Sequence, residues 1–525
     1  MQESPYLSEI IKSLPRVLAL FDSDQTSSSY GLGDRYFWAW GLIDFGNATF
    51  QGAAHGLARL WKSGLWPYAT GKDVFLQRID SLFIGTSRLT RRDGSLEEAF
   101  PREGSFCVTA LVAFDLLVAV DQLSDEIDLE RKKNWLETVS PLIDFLIRND
   151  ETHGLISNHL ATAVAALIRW DKVTEGDKSA FSKADLLLER ILKNQSSEGC
   201  FREYEGADPG YQSLCTHYLA DVHLIRRDLG LLEPLTSSIR FLWHFANPDG
   251  SFGGHYGSRS TRFYYPSGVL ALANEIPEAR TLSLFMADSI ASQRVVSLSS
   301  IDEPNLCPIF NSYAWSSSLT WDAFNHKLNE NNDCVLPCLS NEAFRKDFPQ
   351  AGILLDRGVD HYTVVNYKKG GVVQHYLNDQ QSRIDTGVVI ESAREKLASS
   401  QHYDVHAKIE IKDSVITIQN QVAEMPKRLP TPFQFLVLRM LCFSVFRFST
   451  IREFIKRTLV KLLITKPKLW SILNIRKIEL GRNLKIHDDC RLPSGYKKIS
   501  SLKAFVPIHM ASQGYWQIQD EEPNI

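Results

Sequence analysis

No part of this chain stays apolar for long. The longest such run, Phe433 to Val445, is interrupted by Arg439, so the roughly 18 to 20 uncharged residues of a membrane-spanning helix are missing. Cysteine is scarce and shows no paired pattern. The eight cysteines, at 107, 200, 215, 307, 334, 338, 442 and 490, offer no disulfide framework, and Cys334 and Cys338 lack the second pair of a zinc ribbon. Reduced thiols are expected. The residues from Met1 to Pro15 have no basic n-region, apolar h-region or small-residue cleavage site, and the expectation is a cytoplasmic protein. An excess of positive charge is missing too. With 58 Lys and Arg against 62 Asp and Glu, the net charge is −4, which leaves no global footprint for nucleic acid.

What is present is an ordinary globular composition in a long chain. Its 525 residues exceed what one core usually supports, so two or more domains are expected. From residue 4 to about 295 the apolar residues repeat with helical period: Leu7, Ile10, Ile11 and Leu14 open it, and Phe106 to Val120, Trp135 to Ile147, His159 to Trp170 and Ala180 to Leu192 continue it. Between these helices Asp93-Gly94, His153-Gly154, Glu198-Gly199 and Asp249-Gly250 recur at roughly fifty-residue intervals, long enough for a helix pair and a loop. Stacked pairs of this length close into an incomplete α/α toroid with one rim of helix N-termini, whose partial positive charge suits an anion.

Residues 296–345 hold Pro, Asn and Ser and are expected to form a connector. After them the period becomes two, in Tyr362 to Tyr367, Gly371 to Tyr376, His406 to Ile411 and Val415 to Val422, with Lys368 to Gly371 composed as a hairpin turn. The expected class is therefore α+β multidomain: a toroid over 1–295 and an antiparallel β-sandwich over 346–525, resumed at Ile475 to Ile486, Lys498 to Ile508 and Tyr515 to Ile518. A basic, apolar helical insertion is expected at 433–470, of a kind that lies on an anionic membrane or packs between domains.

The chemistry-bearing residues gather at the turns. Asn158 and His159 open an apolar helix, where an amide donor beside an imidazole can hold a carboxylate and move a proton. Tyr211 starts the helix one repeat later, flanked by Glu203, Glu205 and Asp208. Arg259, near Tyr265, supplies a guanidinium that matches a carboxylate in bidentate geometry. Arg35 and Trp38 offer a cation and a ring for sugar stacking.

An all-α toroid carrying Asn158-His159 and Tyr211 at successive helix starts, followed by a β-sandwich, resembles the heparinase II/III-like polysaccharide lyases and the related alginate lyases and uronyl epimerases. The resemblance implies a carbon–oxygen lyase acting by β-elimination on a uronic-acid-containing glycan. In it Asn158 neutralises the carboxylate, Tyr211 acts as acid and base, and His159 assists. Arg259, Tyr265, Glu205, Arg35 and Trp38 line the substrate path. That family draws a further histidine from a His-x-His-x-Asp run that also supports a metal, and this chain has no such run. His361, after Asp356 and Asp360, is the substitute, with His375 second. His402 and His406 have no third ligand, so no metal and no other cofactor are expected. A uronyl epimerase, a toroid glycoside hydrolase using Glu97, Glu98, Glu103, Glu203, Glu205 or Asp208, and a non-catalytic glycan-binding protein are the competing readings. The expected partner is an anionic oligo- or polysaccharide, with membrane or lipid-linked glycan contact through 433–470.

Overall fold

The computed structural model describes residues 4–151, 156–203, 206–320, 334–377, 382–404, 406–425, 431–448, 451–452, 454–455 and 468–499. Two kinds of helix alternate in the first half. α5 (Phe106–Gln122), α7 (Ser157–Val173) and α9 (Pro209–Ile225) are buried around most of their circumference, whereas α6 (Leu129–Arg148), α8 (Lys178–Lys193) and α10 (Leu232–Leu242) each bury a single stripe. A helix that is apolar all round must be surrounded by others, and one with a stripe must have solvent behind it. The first group is therefore inner and the second outer.

The inner contacts form a cycle. α3 (Ala53–Lys62) packs on α5, α5 on α7, α7 on α9, α9 on α11 (Pro266–Ala271), α11 on α13 (Glu303–Thr320), and α13 returns to α3. Against them from outside lie α4 (Lys72–Leu89), α6, α8, α10, α12 (Pro277–Ala291) and α1 (Pro5–Leu18); α2 (Arg35–Trp38) is a single turn. Truncating a central side chain such as Leu116 in α5, fully buried, would cost about 2–5 kcal/mol in lost apolar burial and cavity formation.

Two of the repeated glycines share one physical role. Gly94 and Gly199 sit at φ +87° and +91°, and a Cβ on either would lie 2.1 Å from the Pro141 carbonyl oxygen of α6 or 2.0 Å from the Ser237 carbonyl oxygen of α10. Only glycine combines the left-handed backbone with that close approach to the outer helix. At Asp93 and Asp249 the carboxylate accepts from the N–H and hydroxyl two residues on, at Ser95 and Ser251, which fixes the turn. Gly154 lies outside the described residues.

The helical part extends past residue 295. α13 falls in the stretch expected to be a connector, and it was illegible because it is buried on all sides and carries no stripe. Its polar groups bond neighbouring helices: Asn311 accepts from the Gly56 N–H and donates to the Gly52 carbonyl, and Ser312 bonds Ser267.

The second half is two antiparallel sheets. The first has order β1 (Phe344–Phe348), β2 (Ile353–Arg357), β3 (His361–Asn366), β4 (Val372–Leu377) and β5 (Ser382–Asp385), with Lys368 to Gly371 turning β3 into β4 as expected. The second contains β6 (Val389–Glu391), β7 (Leu397–Ser399), β8 (Lys408–Lys412), β9 (Val415–Glu424), β10 (Leu469–Glu479), β11 (Lys485–Cys490) and β12 (Lys497–Ile499), in the order β11-β10-β9-β7-β6-β12 with β8 also on β9. Strands β2 and β3 are buried on both faces. Tyr362, Val364 and Tyr376 join the helical core, while Leu354, Val365 and Val373 share a cluster with Ile416, Ile418 and Ile478 of the second sheet. The first sheet thus lies between the helices and the second sheet.

Within the segment expected to be helical over 433–470, α14 (Pro432–Phe443) is helical and begins with a capping box of Thr431 and Gln434, but Leu469 and Trp470 belong to β10. The strands expected at Lys498 to Ile508 and Tyr515 to Ile518 lie outside the described residues, except for the start of the first in β12.

Candidate active site

The N-terminal turns of α7 and α9 converge on one buried carboxyl. Loop 199–203 is pinned to both helices: the Ser157 N–H and hydroxyl donate to the Arg202 carbonyl, and the Gln212 amide bridges Gly199 and Phe201. This aims Glu203 at Asn158, whose Nδ2 donates to Oε2 at 2.6 Å and whose backbone N–H donates to Oε1 at 3.3 Å. Glu203 has no exposed surface. Burial pushes its carboxyl up to about 8, against the opposing pull of the Arg259 charge and the Asn158 hydrogen bonds.

Asp208 assembles the other side. Its carboxylate caps α9 through the Tyr211 N–H at 3.2 Å and accepts from the Arg259 N–H at 2.8 Å and the Thr261 N–H at 3.5 Å. The loop after the fourth glycine turn is so held against the start of α9. Arg259 is buried, and its guanidinium lies 4.8 Å from the centroid of the Tyr211 ring, within cation–π range. Tyr211 itself is half-buried, with Phe263 at 6.5 Å. Tyr265 is buried just before α11, its N–H donating to Ser213. Burial, then the neighbouring Tyr211, raises its phenol well above the ordinary value.

The structure brings Asn158, Tyr211, Arg259 and Tyr265 together and leaves other expected residues apart. His159 follows Asn158 on α7 but pairs with Glu151 at 2.8 Å. Glu205 lies outside the described residues. Arg35 and Trp38 serve each other and the end of α1: the guanidinium is 5.1 Å from the Trp38 ring, and the two side chains donate to the Ala19 and Leu20 carbonyls. His361 is on the wrong face. In β3 the even-numbered residues meet the helices, as Tyr362 does by donating to the His244 carbonyl. Side-chain alternation turns His361 toward Asp356, at 3.0 Å, and the neighbouring His375 ring, at 5.8 Å. Its hydrogen bond to Asp356 raises its proton affinity. His375 accompanies it, bonded to Thr363 and the Arg482 carbonyl and lowered by burial.

Sequence reading missed Tyr403, after β7. Its hydroxyl receives the Asn366 amide at 2.9 Å, and a Cβ on Gly206 would meet that hydroxyl at 2.5 Å. Gly206 is thus backed by the Tyr403 ring, which Asn366 of the first sheet holds in place. No local motif marks Tyr403; only the fold carries it there. Also unforeseen is a buried set along the ring interior: Asp115 with His55 at 2.8 Å, Arg59 on His55 at 2.7 Å, and His217 bonded to Ser267 at 2.6 Å. Burial, with Arg59 and Arg169 nearby, lowers His217 to about 3, so it stays neutral. Beyond this set, a cavity of about 490 Å³ opens among Arg59, Asp121, Arg169, Asp221 and Trp315, roughly 17 Å along α7 from Asn158. Among the described residues, no group of three or more His, Cys, Asp or Glu could hold a metal ion.

No family model and no curated protein matches the chain. Solved structures do. A Paenibacillus xanthan lyase aligns with TM-score 0.46 and 10% identity over 80% of this chain and 45% of its own. A chondroitin AC lyase of Streptomyces coelicolor A3, in complex with chondroitin sulphate, gives 0.46 and 11% over 81% and 67%. A sugar epimerase from a ruminal bacterium gives 0.41 and 13% over 60% and 99%. These likenesses do not single out the heparinase II/III-like lyases, and they assign no role to any residue.

Proposed function

We propose that the chain is an enzyme acting on a uronic-acid-containing glycan by β-elimination, built on an α/α toroid whose inner-helix rim meets the first sheet of a β-sandwich. One observation carries this reading: the Asn158 amide and the Arg259 charge act on one buried carboxyl, and the Tyr211 ring lies against that guanidinium. Removing a proton α to a carboxylate at neutral pH requires neutral or cationic donors that take up the developing enolate charge, together with a nearby base. Asn158 has a second Nδ2 hydrogen to offer a substrate carboxylate once the first is fixed on Glu203. Glu203, raised to about 8, is mostly uncharged at neutral pH and does not repel that carboxylate, while Arg259 attracts it. Tyr211, the half-buried member of the group, acts from its phenolate form: it takes the α-proton to become the phenol and passes that proton to the glycosidic oxygen as the C–O bond breaks, ending as it began.

A glycoside hydrolase is the second reading, favoured by the same raised Glu203, which is a suitable general acid. Against it, the adjacent carboxylate of Asp208 is already used by three backbone N–H groups. Incubation with uronate polymers separates the two. Elimination leaves an unsaturated, ultraviolet-absorbing end, and hydrolysis a new reducing end without that absorbance. Reducing ends without absorbance would refute the lyase reading.

A further inference from the structure

Helix α14 is apolar on nearly every side and mostly uncovered. Phe433 and Phe443 are 71% and 67% exposed, and Phe435, Leu436, Val437 and Met440 are exposed between them. The helix is nevertheless held firmly. Cys442 and Phe446 are buried, the Phe446 ring lies 5.8 Å from Phe100, and Arg439 pairs with Asp44 at 2.8 Å beneath it.

That ion pair joins α14 to a second exposed apolar element. In the loop 39–45, Trp40 and Leu42 are 89% and 90% exposed, both with left-handed backbone at φ 65° and 56°, and Arg439 lies 5.8 Å from the Phe45 ring. Large non-glycine residues rarely adopt this conformation. Two segments almost four hundred residues apart in sequence thus present bulky apolar side chains side by side, more than a soluble monomer ordinarily leaves to water.

We infer that α14 and the Trp40–Leu42 loop form one membrane-docking surface that inserts into the interface of an anionic lipid bilayer. Charge complementarity selects this occupant. In a chain of net charge −4, residues 431–470 contain eight Lys and Arg and one acid, Glu453. Among the described residues Arg447 is exposed beside the apolar helix. An uncovered apolar helix flanked by cations is the pattern of interfacial binding, with apolar burial for depth and anionic headgroups for the charges. No helix among the described residues is long and apolar enough to cross a bilayer, so the helix would lie in the interface plane. The inference is independent of the chemistry at Tyr211.

The test is flotation of the full chain with phosphatidylcholine vesicles, with and without one-third phosphatidylglycerol. The parent should float with the anionic vesicles, and far less with neutral ones or at high salt. Phe433→Ser with Phe443→Ser, and separately Trp40→Ser, should each weaken partition at least ~10-fold, and Arg447→Gln should weaken only the anionic arm. All replaced side chains are exposed, so circular dichroism should be unchanged. Failure of the parent to float, equal flotation of all variants, or an effect from α14 but none from Trp40 would overturn the joint surface. So would a concentration-dependent dimer in sedimentation that the same serines dissociate, since a second copy would then cover the face.

Discussion

Asn158 donates its side-chain amide to Glu203 at 2.6 Å, joining the first turn of one inner helix to the loop that feeds the next. Each residue determines what the other can do. Glu203 orients the amide, and the amide satisfies a carboxyl that water cannot reach. Replacing Asn158 with Ala should raise KM and lower kcat together, because the carboxylate contact forms in the ground state and strengthens as the enolate charge develops. It should also destabilise the fold by about 1–3 kcal/mol through the unsatisfied Glu203, measurable by urea denaturation.

Tyr211→Phe keeps the ring under the Arg259 guanidinium and removes the oxygen that carries the proton. Turnover should fall by at least ~100-fold, with substrate affinity nearly unchanged. Parent-like product formation would remove Tyr211 from the mechanism and shift attention to Glu203.

Glu203 predicts a pH dependence with a definite sign. Its carboxyl is raised from 4.5 to about 8 in the folded chain, so between those values the unfolded chain ionises while the folded one stays protonated. The stabilising contribution is complete below pH 4.5 and is lost as pH rises through about 8. Substrate affinity should fall over the upper part of that range, as an ionised Glu203 opposes the substrate carboxylate. Glu203→Gln should flatten both profiles, and a denaturation series across pH checks the first.

Arg169 holds Asp221 bidentately and reaches Asp121 at 2.9 Å inside the ring. Arg169→Met would strand the buried Asp221 carboxylate, while Asp121 keeps Lys172 at 2.8 Å, and should cost about 3–5 kcal/mol. A thermal scan with no shift in Tm would contradict that pairing.

His361→Ala should leave turnover close to the parent's, since the ring faces away from Tyr211. Its effect belongs to stability. The Asp356 hydrogen bond raises the imidazole above 6.5, so its contribution is full below that pH and disappears as pH rises through the folded value. The variant should be weakened mainly in acid. A large loss of activity at unchanged fold would reverse this assignment.

Local physics was legible from residues alone. The inner and outer helices differ in apolar period, the Asp-Gly turns announce left-handed glycine, and Lys368 to Gly371 announce a hairpin, because each depends on neighbours along the chain. The repeat points to Asn158, Tyr211 and Arg259 as neighbours on one rim, whereas the contacts that each of them makes belong to the fold. What the chain could not show is whatever depends on burial from every side or on distant partners. α13 carries no stripe because helices surround it. β2 and β3 are covered on both faces by layers that meet only in the fold. The direction of His361 rests on strand register, where one residue reverses the face. Glu203's raised proton affinity exists only once loop 199–203 is closed against α7, and the exposure of Trp40 beside α14 only once Asp44 meets Arg439. Periodicity and turns act over a few residues and are written locally; desolvation, facing and juxtaposition are properties of the assembled layers, and the tertiary structure alone decided them.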